Sequence, residues 1–268
     1  MANSAEPHPT PVLWPMQWSL PKGVHALCTT RAGGYSAAPY ASFNLGDHVL
    51  DAPDAVAANR ALLQTLLAGA RPVFLSQVHG VQLVALDAHT PDGTTADACI
   101  TQVSQLACTI MVADCLPLLF TDDAGKVVAA AHAGWRGLAG GVIEQTVLAV
   151  CRQADVSAAQ IRVWLGPCIG PQAFEVGADV LQGFGVAADQ THPAFKAMGL
   201  REGQARWLAD LPALARQRLQ RLGLGQVWGN DGSPAWCTAS GPARFFSHRR
   251  DALRLGSSGR MAACIWRD

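Results

Sequence analysis

Residues 106–141 read LACTIMVADCLPLLFTDDAGKVVAAAHAGWRGLAGG, and this stretch decides how the rest of the chain is organised. Two apolar runs within it, LACTIMVA and KVVAAAHA, have the length and composition of buried β-strands. The first run leads to Asp114 and Cys115, and the second leads to His132 and a glycine-rich turn that opens a helix. The sequence therefore predicts a thiol and an imidazole at the ends of buried strands, where functional side chains are usually placed.

The composition favours a folded cytoplasmic protein. Half of the 268 residues are hydrophobic, and 20 basic residues balance 20 acidic ones, so no general basic surface for nucleic acid is expected. No apolar run reaches the roughly 18 residues of a membrane span, and the first residues lack a signal-peptide pattern. Eight cysteines without a CxxC pair indicate free thiols in a reducing compartment. We expect no nucleic-acid or membrane partner.

Strand and helix patterns alternate without βαβ regularity, which predicts a single mixed α/β sandwich. Residues 1–20 are predicted to be an unstructured lead-in, and residues 21–268 a single domain. One predicted strand is interrupted at His79-Gly80, which indicates a bulge that displays the histidine. The remaining predictions are helices at 54–68 and 141–153, a helical stretch at WLADLPALARQRLQRLGL, a loop at 183–204 and exposed polar loops at SHRRD and SSGR.

His79, Cys115 and His132 are the candidate functional cluster. Zinc is bound by thiolate and neutral imidazole, and catalytic zinc sites keep three protein ligands and one open position. The separations of 36 and 17 residues match no local zinc-finger pattern, so the spacing alone is weak support. A lone histidine at a strand end more often has a structural role.

Two other interpretations use the same stretch. The glycines of HAGWRGLAGG (132–141) could bring backbone N–H groups to a phosphate near Arg136, although a tight turn is the better explanation of this stretch taken alone. Alternatively, Cys115 could be a nucleophile with His132 as its base and Asp114 as the orienting acid. The nucleophile and metal hypotheses compete, because a metal-bound thiolate is not free to attack carbon.

A series of segments covering nearly the whole chain matches one known family in order. They are TTRAGGYSAAPYASFNLGDHV (29–49), Asn59-Arg60, SQVHG (76–80), ADCLPLLF (113–120), AAHAGWRGLAGGV (130–142), LGPCIGPQAFEVG (165–177), Asp210-Leu211 and CTASGPARFFSHRRD (237–251) followed by SGRMAACIW. Some of these motifs are loose individually, but the series is specific. On these residues the chain resembles the YfiH-like proteins, also called the laccase-domain or polyphenol oxidase family.

The resemblance implies a fold, a metal and an activity. The implied fold is an α/β/β/α sandwich similar to that of toxin-type cysteine deamidases. The implied metal ligands are His79, Cys115 and His132, with zinc as the metal and copper as a secondary one. The implied activity is phosphorolysis of purine nucleosides (adenosine, inosine and 5′-methylthioadenosine), together with adenosine deamination.

Three alternative functions stay open at this stage. One is a cysteine-dependent amide hydrolase that edits a peptidoglycan precursor, and another is a copper-dependent polyphenol oxidase. Eight histidines without a His-x-His pair are too few for the four coppers of a true laccase. The third is a protein that senses purines without turnover.

The family mechanism requires residues that hold phosphate and move a proton. A guanidinium can grip phosphate in two places, and the arginines in the motif segments are Arg31, Arg60, Arg136, Arg249 and Arg250. Arg60 and the loop around Asn44 are the first choices. Glu175 is the candidate proton carrier for deamination. The expected assembly is a monomer or a small homo-oligomer.

Overall fold

The computed structural model describes residues 10–268, without the side chain of Leu253. Within that range the chain forms fourteen β-strands and six α-helices. The strands build two large sheets and one small sheet. Most of the apolar stretch 106–133 forms strands whose residues are all buried.

The five-stranded sheet contains, in order across the sheet, β1 (Val24–Cys28), β14 (Met261–Arg267), β6 (Leu106–Val112), β2 (Arg71–Ser76) and β4 (Thr94–Thr95). The six-stranded sheet contains β13 (Gln226–Gly229), β9 (Ile161–Leu165), β7 (Leu116–Asp122), β8 (Val128–Ala133), β5 (Ala98–Thr101) and β3 (Leu83–Ala85). The small sheet contains β10 (Glu175–Val176), β12 (Gln204–Ala209) and β11 (Phe195–Arg201). The helices are α1 (Pro53–Leu66), α2 (Trp135–Gly140), α3 (Val142–Ala154), α4 (Ala178–Gly183), α5 (Leu211–Arg221) and α6 (His248–Leu255).

The two large sheets pack face to face, and helices cover their outer sides. Alternate residues of β6 show the arrangement, because side chains one residue apart on a strand point to opposite faces. Cys108 packs in the cluster between the sheets, whereas Ala107 packs in the cluster that contains Leu63 of α1. On the other side, α3 and α5 cover the six-stranded sheet. The layers are therefore α/β/β/α, which agrees with the mixed α/β sandwich predicted from the sequence patterns and with the layering that the family resemblance implies.

The segment after the first nine residues differs from the predicted lead-in. Residues 10–20 contain no helix or strand apart from an isolated bridge between Leu13 and Thr29, yet they pack against the domain, and residues 1–9 lie outside the described residues. The Trp14 side chain is buried between Trp236 and Phe245, with ring centroids 5.1 Å away in both cases. Its backbone N–H donates to the carbonyl of Cys28 at 2.8 Å. Burial of this large aromatic ring fixes a stretch that its own composition does not order.

Two predicted loops also contain regular structure. The loop predicted at 183–204 is wrong from residue 195 onward, because β11 and β12 form an antiparallel hairpin. Only the first residue of β11 is buried, so the strand lacks the apolar alternation by which strands are recognised. The SHRRD segment begins α6, since the Ser247 hydroxyl accepts a hydrogen bond from the Arg250 N–H at 3.2 Å and caps the helix.

None of the helices described between residues 10 and 268 is long and apolar enough to cross a membrane.

The contact of α1 with the five-stranded sheet gives a first prediction. Leu63 is fully buried under this sheet, whereas Leu200 on β11 is 74% exposed. Replacing Leu63 by Ala should lower the free energy of unfolding by about 2–5 kcal/mol, because a cavity replaces packed methyl groups. Leu200→Ala, the control, should change it by less than about 0.5 kcal/mol. Urea denaturation measures both, and equal losses would contradict the layer assignment.

Candidate metal and catalytic site

The three residues of the predicted cluster meet at one end of the space between the two large sheets. Cys115 lies between β6 and β7, His132 lies near the end of β8, and His79 lies in the loop after β2. Their ligand atoms are all within 4.8 Å of one another. The Cys115 Sγ and the His79 Nε2 are 3.7 Å apart. The structure thus confirms that these distant residues form one group.

A buried carboxylate, Asp97, holds two members of the cluster in place. Its Oδ1 lies 2.8 Å from the Nδ1 of His132, which leaves the Nε2 of that ring for the cluster. The same carboxylate accepts hydrogen bonds from the backbone N–H groups of Val78, His79 and Gly80, at 2.7–3.2 Å. His79 has a positive φ of 62°, a conformation that costs energy outside glycine. Asp97 therefore orients one imidazole and stabilises the strained loop that carries the other.

Glycines at the start of α2 let the cluster close. A Cβ on Gly134 would lie 2.8 Å from the His79 ring and 3.1 Å from the Cys115 sulfur. A Cβ on Gly137 would lie 2.6 Å from the carbonyl oxygen of Gly80. These contacts explain the glycine-rich turn by close packing against the histidine loop. They favour the tight-turn interpretation over the phosphate cradle.

Asp114 does not orient His132, so that part of the predicted nucleophile array is wrong. Its carboxylate accepts hydrogen bonds from the hydroxyls of Thr238 and Ser247 and from the backbone N–H of Arg249, at 2.5, 3.1 and 2.7 Å. It therefore ties the Cys115 loop to the segment that begins α6. The acid beside His132 is Asp97, which lies in the bend between β4 and β5.

The cluster opens into a cavity of about 300 Å³. Besides the cluster residues, its walls combine apolar groups with basic ones. They include Leu75, Met111, Ile169 and Phe174, together with His48, His248, Arg249 and Arg260. A concave site with apolar walls and a few polar groups is the usual form of a small-molecule site.

The electrostatics of the cluster favour an ion pair when no metal is bound. Burial would raise the pKa of the Cys115 thiol, but the neighbouring imidazoles of His132 and His79 lower it to about 6. Burial would lower the pKa of His132, but the Cys115 sulfur and the Asp97 carboxylate raise it to about 9. At neutral pH the metal-free pair is therefore a thiolate beside an imidazolium.

The donor set fits a tetrahedral metal ion. With Zn–S near 2.3 Å and Zn–N near 2.0 Å, sulfur and nitrogen ligands of one tetrahedral ion lie about 3.5 Å apart. The separation of Cys115 Sγ and His79 Nε2, 3.7 Å, is close to this value. The contact of His132 Nδ1 with Asp97 is the carboxylate–histidine arrangement that commonly supports metal-bound imidazoles.

The other predicted site residues fall into two groups. Arg249 lines the cavity, and its Nη1 donates to the carbonyl of Glu175 at 2.9 Å. Arg60 lines a neighbouring cavity, where its Nη2 lies 3.1 Å from Asp47 Oδ2. The remaining ones do not line either cavity.

Contacts elsewhere account for those remaining residues. Asn44 is fully buried, and its amide bonds Gly46, Asp51 and the N–H of Arg260. Arg31 donates to the carbonyls of Ala41 and Pro242. Arg136 is exposed and stacks on Trp135, Arg250 bonds three backbone carbonyls and Asp251, and Glu175 pairs with Arg201 at 3.0 Å.

Sequence reasoning missed Asp97, Arg260, Gln77, His48 and His248 as site residues. Asp97 is separated from His132 by 35 residues, and no local spacing connects them. Arg260 immediately precedes β14, which pairs antiparallel with β6 so that Met261 lies opposite Val112. Predicting that pairing would have placed Arg260 beside the Cys115 loop. No comparable signal identifies the other three.

Fold and site together define a mixed α/β protein with a His-Cys-His metal-type centre. Residues 25–268 match the family described as multi-copper polyphenol oxidoreductase laccase. The chain belongs to this family, which confirms the resemblance found in the sequence motifs.

Named relatives cover almost the whole chain. It is 44% identical over 250 residues to a Haemophilus influenzae protein named purine nucleoside phosphorylase, covering 93% of this chain and 96% of that protein. It is also 44% identical over 253 residues to the purine nucleoside phosphorylase YfiH of Escherichia coli, with the same coverage of both chains.

Solved structures show the same fold. The Neisseria meningitidis protein NMB0706 superposes with a TM-score of 0.81 at 42% identity, covering 96% of this chain and 99% of that one. YlmD from Geobacillus stearothermophilus gives a TM-score of 0.79 at 30% identity, with 92% of each chain covered.

The role of Asp97 can be tested through metal affinity. Asp97→Asn removes the charged acceptor of His132 and should weaken metal binding roughly 10–100-fold, the usual effect of losing such a partner. Competition with a chromogenic chelator measures the affinity. Asp189→Asn, an exposed carboxylate, is the matched control. Equal affinities in the two variants would show that Asp97 does not support the cluster.

The charge state of Cys115 gives a pH prediction. Because its pKa is lowered to about 6, the metal-free thiol should be a reactive thiolate above that pH and should lose reactivity below it. The rate of iodoacetamide labelling of Cys115, followed by mass spectrometry, should therefore reach half its maximum near pH 6. His132→Ala should move the midpoint upward. A wild-type midpoint near the ordinary value of about 8.5 would contradict the ion pair.

Proposed function

We propose that this protein is a zinc-dependent purine nucleoside phosphorylase that cleaves adenosine, inosine and 5′-methylthioadenosine and also deaminates adenosine. The observation that carries the proposal is the cluster of His79, Cys115 and His132 at the wall of a cavity that also contains Arg249 and Arg260. The names of the relatives at 44% identity support the choice of reaction.

Zinc is proposed over copper for two reasons: the types of ligand atom in the cluster, and the number of such clusters in residues 10–268. One thiolate and two imidazoles match a zinc site with a position left for a reactant. Two imidazoles and a thiolate with a distant thioether can also hold copper, and Met111 lines this cavity. Among residues 10–268, however, the cluster is the only group of three or more His, Cys, Asp or Glu residues arranged to hold a metal. Four coppers would need several such groups.

Phosphorolysis breaks the bond between ribose C1′ and purine N9 and forms a bond between C1′ and a phosphate oxygen. The electron pair of the broken bond stays on N9, so the base leaves as an anion or after receiving a proton. Arg249 and Arg260 line the cavity, and we assign phosphate binding to them because the reacting atoms must share one chamber. Bound zinc supplies Lewis acidity and a water of lowered pKa.

Proton transfer is assigned to the cavity imidazoles. Glu175, the first candidate from sequence, points its carboxylate to Arg201 at 3.0 Å. His48 and His248 line the cavity, and imidazole is the side chain most often used in general acid–base catalysis. They are therefore better placed to protonate a leaving base or to assist deamination.

A second candidate function is a cysteine-dependent amide hydrolase. Cys115, His132 and Asp97 lie in the order nucleophile, base and orienting acid, and Cys115 has a lowered pKa. This array suits attack on an amide carbon, including an amide of a cell-wall precursor. It differs from the first proposal in requiring no metal.

The same proposal places the protein in the cytoplasm as a monomer or a small homo-oligomer. All eight cysteines are free, which suits the cytoplasm. A monomer or small homo-oligomer is sufficient, because one chain supplies every residue of the cluster.

Replacing a cluster residue tests the phosphorylase. Cys115→Ser should lower bound zinc and the release of ribose 1-phosphate and free base together. The loss should exceed the roughly 10–100-fold effect expected when a ligand's hydrogen-bond partner is removed. Cys151→Ser, a half-buried thiol on α3, is the matched control. Metal content by mass spectrometry and products by chromatography provide the two readouts.

A chelator separates the candidate functions. Removing the metal should abolish phosphorolysis, and restoring zinc should recover it. Phosphorolysis that persists without metal would exclude the zinc mechanism. Amide cleavage that survives the chelator but is lost on alkylation of Cys115 would favour the hydrolase. Oxidation of phenols that requires copper would favour the oxidase.

A further inference from the structure

A second cavity adjoins the cavity of the cluster. It has a volume of about 390 Å³, and it shares His48, Leu75, Gln77 and Met111 with the first. Each cavity alone is near the lower end of the roughly 300–1,000 Å³ typical of small-molecule sites. The shared walls make them two chambers of one cleft, which we call the cluster chamber and the Arg60 chamber.

Arg60 is fixed in the wall of the Arg60 chamber before any ligand binds. Its Nε donates to the carbonyl of Leu45 at 3.0 Å, and its guanidinium lies 4.0 Å from the ring centroid of Phe74. Only 19% of its side chain is exposed. A guanidinium held in this way loses little conformational freedom when it binds an anion.

One nitrogen of this guanidinium, Nη2, has unused hydrogen-bonding capacity. Its Nη2 is buried and makes no well-aligned hydrogen bond within residues 10–268, although Asp47 Oδ2 lies 3.1 Å away. The Asp47 side chain is 62% exposed, so it can turn into solvent at small cost. The Asp47 carboxylate therefore occupies a position beside Arg60 in which the anionic group of a ligand can replace it.

Two other polar residues of the wall can donate hydrogen bonds to an anion. Ser76 offers a hydroxyl and His48 offers a ring N–H. The amide of Gln77 is already engaged, because it both donates to and accepts from the backbone of Met111 at 2.8 Å. Phe74, Leu75 and Met111 supply an apolar surface that strengthens a charge interaction by excluding water.

We propose that the Arg60 chamber binds a phosphoryl group attached to the ribose of the substrate, so that the cleft accepts nucleoside 5′-monophosphates. The proposal rests on the proposed function only in placing the nucleoside in the cluster chamber. The 5′ phosphoryl group then reaches the guanidinium of Arg60 and displaces Asp47. The reacting bond stays that of the nucleoside, with C1′–N9 broken and C1′–O formed.

Equilibrium binding to the zinc-loaded protein tests this assignment. The probes are inosine 5′-monophosphate, inosine and inorganic phosphate, each titrated alone by calorimetry, because inosine has no 6-amino group to lose and is not cleaved without phosphate. Arg60→Gln should weaken binding of the monophosphate at least 10-fold and leave inosine within about 2-fold. Arg152→Gln, an exposed arginine on α3, is the matched control and should change neither.

A second variant should change the affinity for the monophosphate in the opposite direction. It keeps Arg60, so the test remains valid even if the Arg60 variant does not fold. Asp47→Asn removes the competing carboxylate from an exposed position, and should tighten binding of the monophosphate several-fold. Circular dichroism checks that the variants are folded. If Asp47→Asn leaves monophosphate affinity unchanged while Arg60→Gln weakens all three probes equally, Arg60 is structural and the proposal is overturned.

The remaining outcomes distinguish this proposal from binding of free phosphate and from the proposed phosphorylase activity. If inorganic phosphate alone loses affinity in Arg60→Gln, the chamber binds the free co-substrate, and the proposal of a phosphorylated nucleoside is overturned. If monophosphate binding depends on Arg60 but neither nucleoside nor nucleotide is cleaved, the binding site stands and the proposed phosphorylase fails. If adenosine is cleaved but Arg60→Gln leaves the affinity for the monophosphate unchanged, the proposed phosphorylase stands and only the phosphoryl site in the Arg60 chamber is refuted.

Discussion

The carboxylate of Asp97 is the constraint on which the whole site depends. It is fully buried, accepts hydrogen bonds from three consecutive N–H groups of the histidine loop and contacts the ring of His132. Such an ion is tolerated in the interior only because its lone pairs are satisfied. The same bonds that make its burial tolerable fix two metal-type ligands relative to each other, so stability and function are supported by one group.

The sandwich supplies the frame for this arrangement. Strands β2, β6 and β8 end near one another, and residues that follow or close these strands reach a common point. Small residues at 134 and 137 then let the first turn of α2 approach that point. Positive φ angles at His79 and Asp114 show that backbone strain is present at and beside the ligands. His79 donates its backbone N–H to the buried carboxylate of Asp97, and Asp114 carries a buried carboxylate that accepts the hydroxyl of Thr238.

Much of this architecture could be predicted from the sequence, because buried strands such as β6 and β8 are continuous apolar runs and the family motifs carry the three ligands. What could not be predicted depends on contacts between distant segments. Asp97 has no local signal, and Arg260 becomes a site residue only through the pairing of β14 with β6. The β11–β12 hairpin was missed because its exposed strand has no apolar face. Arg60 was singled out by its motif, but its chamber is a tertiary feature.

The position of β14 affects the order in which the molecule can mature. This strand pairs with β1 on one side and β6 on the other, yet residues 261–267 are made after every other described strand. The five-stranded sheet therefore stays split during synthesis, and Arg260 reaches the cavity only when the ribosome has added this segment. Until then the Cys115 loop lacks its neighbour on that side, so a nascent chain would expose a half-built centre.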